Sequence, residues 1–523
     1  MDELRISAED FERLIAEVTP WLAECVRRSD TGPTSFMDSL DGEVQERDRG
    51  RTLARKLREE HAPETGQRLD SLMDTLCNVA ARTGRNGGSA AFCAYVPTGG
   101  LLQTAVADLI AAALNRSTPL FISNPGLVQL EFNALSWMAQ LVGYDPDVAF
   151  GSFSSGGSMA NFIGVLVARR KHLPEENIAT GAVMATSQTH SCIGKGLIMA
   201  GLPRSSLCLV ECDEKLRMCP AALEKCIVAQ RNGGRVPFLV VASAGTTSTG
   251  AVDDLRALAS VCKRHGVWLH VDGVYGAAFN LTQRGREQLD GLEEADSIAI
   301  DLHKSFFLPQ ATGLLMVKER VYLKQAFALD HQPAFLPDVD QDDRNFLDHS
   351  PDLTRPCYGL RLWFPLQLCG LGRWRAALDD RLDWTGEFAD GLRAMARIGI
   401  ELTTEPSLTI LTFRYAPTHE DDSSSVMAGN VSAGQVSSGV CRSQRLRDAN
   451  QKLLRFINGR DHIFLSSTIL PGGEVFVLRA CILHVRLTRE RLLDGLQDIR
   501  DGVAEIRASA SAAELTESTQ VIE

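Results

Sequence analysis

Five short apolar runs lie in the middle of the chain, and stretches with apolar residues at helical spacing separate them. The runs have the length and the β-branched content of buried strands. Strands and helices in alternation are typical of a parallel sheet whose strands are joined by helical crossovers. The sequence therefore predicts an α/β domain, with strands in residues 181–188, 206–212, 237–243, 267–272 and 297–301.

The N-terminal region follows a different pattern. Residues 7–28 place apolar residues at helical spacing, and Ser7 with Asp10 three residues later predicts a capped helix start. Residues 30–85 continue as polar helical pieces, with too few apolar residues for a core of their own. We therefore expect residues 1–85 to be a helical segment that packs on a partner subunit, and the large domain to span residues 86–345.

The C-terminal part indicates a second domain. A Pro/Asp-rich stretch after about residue 335 leads into a long helix, residues 360–371, and then into helices and short strands. These predict a small α/β domain over residues 346–507. Residues 416–443 are Ser/Gly-rich without periodicity, which predicts a mobile insertion, and we expect residues 508–523 to be a disordered tail.

Composition and charge exclude several classes of protein. The net charge of −12 does not favour a nucleic-acid-binding face, and the acidic, amphipathic N-terminus resembles neither a signal peptide nor a transit peptide. The longest apolar stretch, residues 101–114, is too short to span a bilayer. Thirteen scattered cysteines without a CxxC pair are typical of reduced thiols. We expect a cytoplasmic protein with no nucleic-acid or membrane partner.

The strongest candidate chemistry lies at the ends of two predicted strands. Asp272 follows the apolar run 267–269, and Lys304 follows the run 297–300. Strand ends in an α/β sheet face a common crevice. An amine that can form a Schiff base and an acid that can hold a pyridine nitrogen protonated are the minimal requirements for binding pyridoxal phosphate. Taken alone, however, the same residues could be a turn aspartate and a solvated lysine.

Other motifs add polar groups at further strand ends. Residues 152–162 form a Gly/Ser-rich helix start that contains Gly157 and Ser158, and such a start can bind an anion. This motif lacks both the P-loop ending and the dinucleotide-binding spacing. His190 and Thr246 each follow a predicted strand. A metal site formed by His190, His270, Asp272 and His303 is disfavoured, because no second set of carboxylates lies nearby in the sequence.

Taken together, these motifs closely resemble those of the group II pyridoxal-phosphate decarboxylases, which act on aromatic amino acids, histidine, glutamate or diaminobutyrate. The resemblance covers about residues 85–500 and implies the fold-type I architecture of aspartate aminotransferase, with a mainly parallel seven-stranded sheet. It also implies a homodimer with shared active sites, acting on an amino acid. The motifs, in order, are SSGGSMAN, TSQTHSCIGKG, SAGTTSTGAVDD, WLHVDGVYGAAF and ADSIAIDLHKSFFLP.

The resemblance also implies a role for each matching residue. Lys304 would form the Schiff base with pyridoxal phosphate, and Asp272 would pair with the pyridinium nitrogen and so favour a quinonoid intermediate. His190 would stack on the ring and help to orient the substrate. The remaining positions would contact the phosphate (Gly157, Ser158 and His303), the ring (Thr246) and the substrate (Tyr95 and Thr98).

The sequence departs from the family pattern at several places. Val274 adds bulk beside the expected ring position, and only Arg355 remains of a cluster of three arginines. No tyrosine lies between residues 326 and 356, where many relatives carry the one that protonates Cα; the sequence offers His331, His349 or Tyr358 instead.

These departures leave three functions open. The favoured one is decarboxylation of an L-amino acid. The alternatives are a C–S or β-eliminating lyase or an aldehyde-forming oxidative decarboxylase on the same scaffold, and a catalytically silent homologue. Val96, where an aromatic residue would favour ring stacking, suggests a pocket that is not built for a large aromatic substrate.

Overall fold

The computed structural model describes residues 6–31, 50–82, 84, 86–97, 99–328, 344–417, 435–471 and 475–520. Two sheets organise this part of the chain, one with seven strands and one with four. Each sheet is covered by helices and has its own hydrophobic core. The predicted combination of a large domain with a mainly parallel sheet and a small C-terminal α/β domain is thereby confirmed.

The large sheet contains all five predicted strands and two that the apolar runs did not reveal. The first strand was missed because it is rich in small and polar residues. The last strand was missed because it follows a loop that we assigned to the Lys304 motif. The strands are β1 Phe150–Ser154, β2 Gly181–Thr186, β3 Leu207–Val210, β4 Val236–Ser243, β5 Trp268–Asp272, β6 Ser297–Asp301 and β7 Gly313–Val317.

The strand order places the functional motifs along one edge of this sheet. The order is β1-β7-β6-β5-β4-β2-β3, and β7 runs antiparallel to the other six strands. The carboxyl ends of the other six strands therefore lie along the same edge, together with Gly313 at the start of β7. Ligands of open α/β sheets bind at this edge.

Helices cover both faces of the large sheet and most of the small one. Their limits follow local signals. For example, Asp254 caps one helix by accepting a hydrogen bond from the Ala257 N–H at 3.0 Å, and Gly266, with φ of 60°, ends it. The described α-helices are α1 Ala8–Thr31, α2 50–56, α3 Leu69–Asp74, α4 Leu102–Leu114, α5 Pro125–Leu141, α6 Gly157–His172, α7 Cys192–Met199, α8 Pro220–Asn232, α9 Leu255–His265, α10 Gln283–Gln288, α11 Arg320–Phe327, α12 Leu360–Cys369, α13 Leu371–Arg393, α14 Gln435–Asn458 and α15 Arg489–Gln520.

The small domain is an antiparallel sheet packed against α13 and α14, and α15 packs on these two helices. Its strands run in the order β10-β11-β9-β8. The core of the large domain includes Phe346, Trp374 and Leu382, and the core of the small domain includes Phe388, Leu411 and Leu478. The domain boundary at 345/346 stays a prediction. The strands are β8 Ile400–Ser407, β9 Ile410–Tyr415, β10 Ser466–Leu470 and β11 Val475–Cys481.

Two helices extend into segments for which the sequence predicts irregular structure. The chain is helical up to Gln520, where we expected a disordered tail from residue 508. The segment is rich in alanine and glutamate, which favour helix, and its repetitive composition hid that preference. Helix α14 likewise begins inside the predicted mobile insertion, at Gln435, whereas residues 418–434 of the insertion lie outside the described residues.

The N-terminal helix is confirmed over Ala8–Thr31. Asp30 at its end forms an ion pair with Arg486 of the small domain, with Nη1 and Oδ1 3.2 Å apart. Several large apolar side chains of α1 and α3 remain exposed on this chain, including Phe11, Leu22 and Leu72. Packing of this segment on a partner subunit stays a prediction. Among the residues that the structure describes, every helix is too short or too polar to cross a bilayer.

Candidate active site

Lys304 and Asp272 lie at the carboxyl ends of neighbouring parallel strands. Asp272 is the last residue of β5 and pairs in register with Ala299 of β6, and Lys304 follows the end of β6 by three residues. The Asp272 side chain is buried. Burial raises the pKa of its carboxyl group, while the Lys304 amine and the Val274 N–H oppose that rise. The acid and the amine therefore interact across one pocket.

The N-terminus of α6 forms a second wall of the pocket. Gly157 begins this helix directly after β1. A Cβ atom at Gly157 would lie 2.7 Å from Val274 Cγ1 and 3.0 Å from Asp301 Oδ2, so only glycine allows the backbone to approach this closely. Ser158 is exposed beside it. A helix of this length presents unpaired N–H groups and a positive dipole end, which together bind an anion.

The sequence reasoning missed Asp301. Its carboxylate is almost fully buried, with Oδ1 2.5 Å from His303 Nδ1 and Oδ2 3.7 Å from Lys304 Nζ. Asp301 therefore contacts two predicted site residues and balances the charge of the lysine. Its position as the last residue of the β6 run, directly before Leu302 and His303, was the available signal.

His190 and Thr246 occupy loops at the same edge of the sheet. His190 lies exposed after β2, where Nδ1 accepts a hydrogen bond from the Cys192 N–H at 3.3 Å. Protonation of the His190 ring would lower the pKa of the Asp272 carboxyl group against the effect of burial. The Thr246 hydroxyl is buried within its own turn, 3.0 Å from the Thr249 hydroxyl and 3.1 Å from the Ala251 N–H.

Tyr95 has a strained backbone. Its φ is 51°, and more than half of its side chain is exposed. Buried Arg479 of β11 donates hydrogen bonds to the Tyr95 carbonyl and, at 2.8 Å, to the Thr247 carbonyl, so it ties these loops to the small domain. Val96 packs against the core of the large domain, which weakens the inference about substrate size. Thr98 lies outside the described residues.

Of the candidate proton donors, the structure disfavours His349. His349 is buried, with Nδ1 3.0 Å from the Asn345 carbonyl and its ring 4.7 Å from that of Phe150, so it belongs to the core. Tyr358 is partly buried, 5.0 Å from the Arg355 guanidinium. His331 lies outside the described residues.

His270 is also a core residue. Its Nδ1 is 2.8 Å from Ser297 Oγ and its Nε2 is 2.8 Å from Asn161 Oδ1, and burial lowers its pKa to about 3. Both nitrogens are therefore occupied, and the ring is neutral. In the described part of the chain, no three His, Cys, Asp or Glu side chains come together as a metal site would require.

Because His270 and His484 are buried, we expect the free energy of unfolding to fall in acid. His270 and His484 both have a folded pKa of about 3, well below the unfolded value of 6.5. Their stabilising contribution is present above pH 6.5 and is lost as the pH falls towards 3, because the unfolded chain then binds more protons. Each should reduce the free energy of unfolding by about 1.4 kcal/mol per pH unit in that window.

Chemical unfolding at a series of pH values measures this effect. His484→Leu should remove one part of the slope without touching the pocket. A stability that stays constant from pH 6.5 to pH 4.5 would contradict the prediction.

Comparison with known proteins identifies the family. The pyridoxal-dependent decarboxylase conserved domain matches residues 52–416. An aromatic-L-amino-acid decarboxylase of Bacillus atrophaeus is 30% identical over 511 residues, which cover 97% of this chain and 98% of the relative. An L-2,4-diaminobutyrate decarboxylase of Acinetobacter baumannii is 28% identical over 62% of this chain and 66% of its own length. The chain belongs to the pyridoxal-dependent decarboxylase family.

Solved structures confirm the fold. Oryza sativa TDC, solved with PLP and tryptamine, has a TM-score of 0.82 at 22% identity and covers 96% of this chain and 99% of its own. Mouse CSAD has a TM-score of 0.80 at 23% identity, covering 95% of this chain and 99% of its own.

The protein is an amino acid decarboxylase that uses pyridoxal phosphate, and the eliminating and oxidative alternatives are not favoured.

The pocket fits this cofactor. It combines an amine, a buried acid on the neighbouring strand and a helix N-terminus that carries no side chain at Gly157. His303 lies next to that terminus, since a Cβ at Gly156 would come within 3.6 Å of His303 Cε1. An amine, an acid and an anion site are the three groups that the aldehyde, the ring nitrogen and the phosphate of pyridoxal phosphate require.

Proposed function

We propose that this chain decarboxylates its L-amino acid substrate in the pocket at the carboxyl ends of β5 and β6, with Lys304 as the amine that holds the cofactor. The observation that carries the proposal is the placement of Lys304 just after β6 and of the buried Asp272 at the end of the neighbouring parallel strand β5, where the charge of Lys304 opposes the effect of burial on the Asp272 pKa. When bound, pyridoxal phosphate supplies an electron sink for the bond to the leaving carboxylate.

Each residue of the pocket has a distinct part in this proposal. Asp272, whose ionised form Lys304 favours against burial, would hold a proton on the ring nitrogen. Asp301 balances the charge of Lys304 and fixes His303 beside the α6 terminus. The wider set comprises His190 over the ring, Gly157, Ser158 and His303 at the phosphate, Thr246 beside the ring, and Tyr95 and Thr98 towards the substrate.

Asp272→Asn tests the role of the acid. The amide is of similar size but cannot hold a proton on the ring nitrogen, so we expect kcat to fall by about 10²–10³-fold, the usual effect of losing one preorganised charge. Decarboxylation rate and bound-cofactor absorbance are the measurements.

Asp296→Asn is the matched control. Asp296 is also largely buried and lies just before β6, where its Oδ2 accepts a hydrogen bond from the Leu269 N–H at 2.7 Å, away from the pocket. This variant should lose stability but keep its kcat. Equal turnover of Asp272→Asn and the unmodified protein would refute the assignment.

We also propose that the protein is a cytoplasmic homodimer whose two active sites are shared between subunits. The exposed apolar side chains of α1 and α3 support a covered interface, and the described cysteines are all free thiols, as expected in a reducing compartment. Light scattering should give twice the chain mass of 57.1 kDa. Mixing Lys304→Ala and Tyr95→Ala subunits should restore activity if each site uses both chains.

A product screen tests the reaction itself. The protein with pyridoxal phosphate in heavy water should convert an L-amino acid into the amine with one deuterium at Cα. Aromatic amino acids and L-2,4-diaminobutyrate should be tried first, because the names of the relatives give them. Keto acid, sulfide or aldehyde without that amine would contradict decarboxylation.

A further inference from the structure

The loop that carries Lys304 has a strained backbone. Residues 302–312 join β6 to β7, and Phe307 and Ala311 within them have φ values of 60° and 65°. This left-handed region is unfavourable for residues with a side chain, and Phe307 is bulky and almost fully buried. Strained backbone of this kind persists only where the surrounding structure holds it, and it is concentrated at functional sites.

Backbone hydrogen bonds close this loop on itself around Lys304. The Leu302 N–H donates to the Thr312 carbonyl at 2.9 Å, and the Leu308 N–H donates to the Leu302 carbonyl at 3.0 Å. The Lys304 carbonyl accepts a hydrogen bond from the Phe307 N–H at 2.9 Å. Lys304 therefore lies in a turn whose geometry depends on how the far end of the loop is held.

Arg361, in the first turn of α12, holds that far end. Its Nη1 donates to Thr312 Oγ1 at 2.7 Å and to the Ala311 carbonyl at 2.9 Å. The Thr312 hydroxyl in turn donates to the Pro309 carbonyl at 3.1 Å. The Arg361 side chain is only 20% exposed, so water competes poorly for these acceptors. The guanidinium thus fixes the backbone at Ala311, one of the two strained residues.

The rest of the guanidinium is anchored on α4. Arg361 Nε is 2.6 Å from Asp108 Oδ1 and Nη2 is 2.8 Å from Asp108 Oδ2, which makes a bidentate ion pair. Such a pair fixes the plane of the guanidinium and so the direction of Nη1. The Leu101 N–H, directly before α4, donates to the Phe307 carbonyl at 2.8 Å. Both strained residues, Phe307 and Ala311, are therefore tied to the same helix.

We propose that Arg361 is a positioning residue for Lys304: anchored by Asp108, it holds the strained end of the loop so that the Lys304 amine keeps its place beside Asp301. Arg361 acts only through the loop backbone and the Thr312 side chain. Without it, the strained residues would relax towards common backbone conformations, and the turn that carries Lys304 would shift with them. The inference rests on the proposed role of Lys304 as the amine that holds the cofactor.

Arg361→Met tests this role, because it keeps an apolar side chain but removes the guanidinium. Amide hydrogen exchange of the full-length protein would be followed in peptides that cover residues 302–312, with and without pyridoxal phosphate. These amides should exchange at least about tenfold faster in the variant, since the loop loses charge-assisted hydrogen bonds. kcat should fall by about 10–10²-fold while KM changes little, because the amine is displaced and the substrate contacts are kept.

Arg235→Met is the matched control. Arg235 is also partly buried and donates to the carbonyls of Gly181 and Ser205, at 2.9 Å and 2.8 Å. It lies directly before β4, at the opposite edge of the sheet from the pocket. Its replacement should lower stability but leave kcat and the exchange of residues 302–312 unchanged.

Ala311→Gly separates positioning from packing. Glycine adopts the left-handed region without a steric penalty, so a loop with glycine at this position needs less support. The double variant Arg361→Met with Ala311→Gly should therefore recover part of the lost kcat and of the lost protection from exchange, although the ion pair with Asp108 is still missing. An ion pair that only stabilised the packing of α12 on α4 would give no such recovery.

The outcomes distinguish this inference from the proposed function. Failure of borohydride to label Lys304 in the unmodified protein would refute the proposed function, while exchange of the loop would still report whether Arg361 holds it. Labelling of Lys304 together with unchanged exchange and kcat in Arg361→Met, equal losses in Arg235→Met, or no recovery with Ala311→Gly would overturn the inference alone. If Arg361→Met does not fold, Thr312→Val removes one acceptor instead: faster exchange with a lower kcat supports the inference, and unchanged values overturn it.

Discussion

Lys304→Ala should lower the decarboxylation rate by on the order of 10⁴–10⁶-fold, the scale on which removal of a covalent catalytic residue acts. The variant loses the amine that lies 3.7 Å from Asp301 and whose charge acts on Asp272. Alanine is compatible with the surrounding turn, so the fold should be retained. Borohydride reduction followed by peptide mapping should label the peptide containing Lys304 in the unmodified protein and no peptide in the variant.

Lys195→Ala is the matched control for this prediction. Lys195 is exposed on α7, close in sequence to the loop that carries His190. Its replacement should leave both turnover and borohydride labelling unchanged. Retention of more than about one hundredth of the activity by Lys304→Ala would show that the lysine is not the covalent residue.

Arg355→Met should cost about 3–5 kcal/mol of folding free energy, the largest effect on stability that we expect from a single substitution. Arg355 and Glu131 form an ion pair with side chains that are 1% and 0% exposed. Removing the guanidinium leaves the carboxylate of Glu131 buried without its counter-charge. The Arg355 guanidinium also lies 4.2 Å from the Phe346 ring, and that contact is lost as well. Guanidinium-induced unfolding would measure the change.

A double variant and a surface pair make this prediction specific. Replacing both partners, as Glu131→Leu with Arg355→Met, should restore much of the loss, because an apolar pair needs no compensating charge. Arg393→Met breaks the exposed pair with Glu405 and should change stability by less than about 1 kcal/mol. A loss for Arg355→Met as small as that for Arg393→Met would contradict the argument.

The sequence motif around Arg355 did not indicate where this side chain lies in the fold. The family pattern has a cluster of three arginines before the long helix, of which Arg355 is the surviving member. The structure places Arg355 in the core between α5 and the segment before α12. Its ion pair with Glu131 therefore belongs to the packing of the fold. Its sequence neighbours gave no indication of this, because Glu131 lies far away in the chain.

The sequence by itself determined the large-scale plan. Its alternating apolar runs and helical stretches predicted the parallel sheet, and the ends of those runs located Asp272 and Lys304. These properties are local, because the periodicity of a strand or a helix depends on residues that are close together in the sequence. The order of strands at one edge then follows from general rules of α/β folds.

Only the tertiary structure decided which polar groups meet. Asn161 and His270 are partners because α6 packs across β5, and Gly164 leaves the space for that contact. Asp301 joins His303 and Lys304 only after the chain turns at the end of β6. A buried donor must find an acceptor wherever packing places one, and packing is a property of the whole fold. Periodicity identifies the strands, but it does not determine which polar side chains form hydrogen bonds with one another.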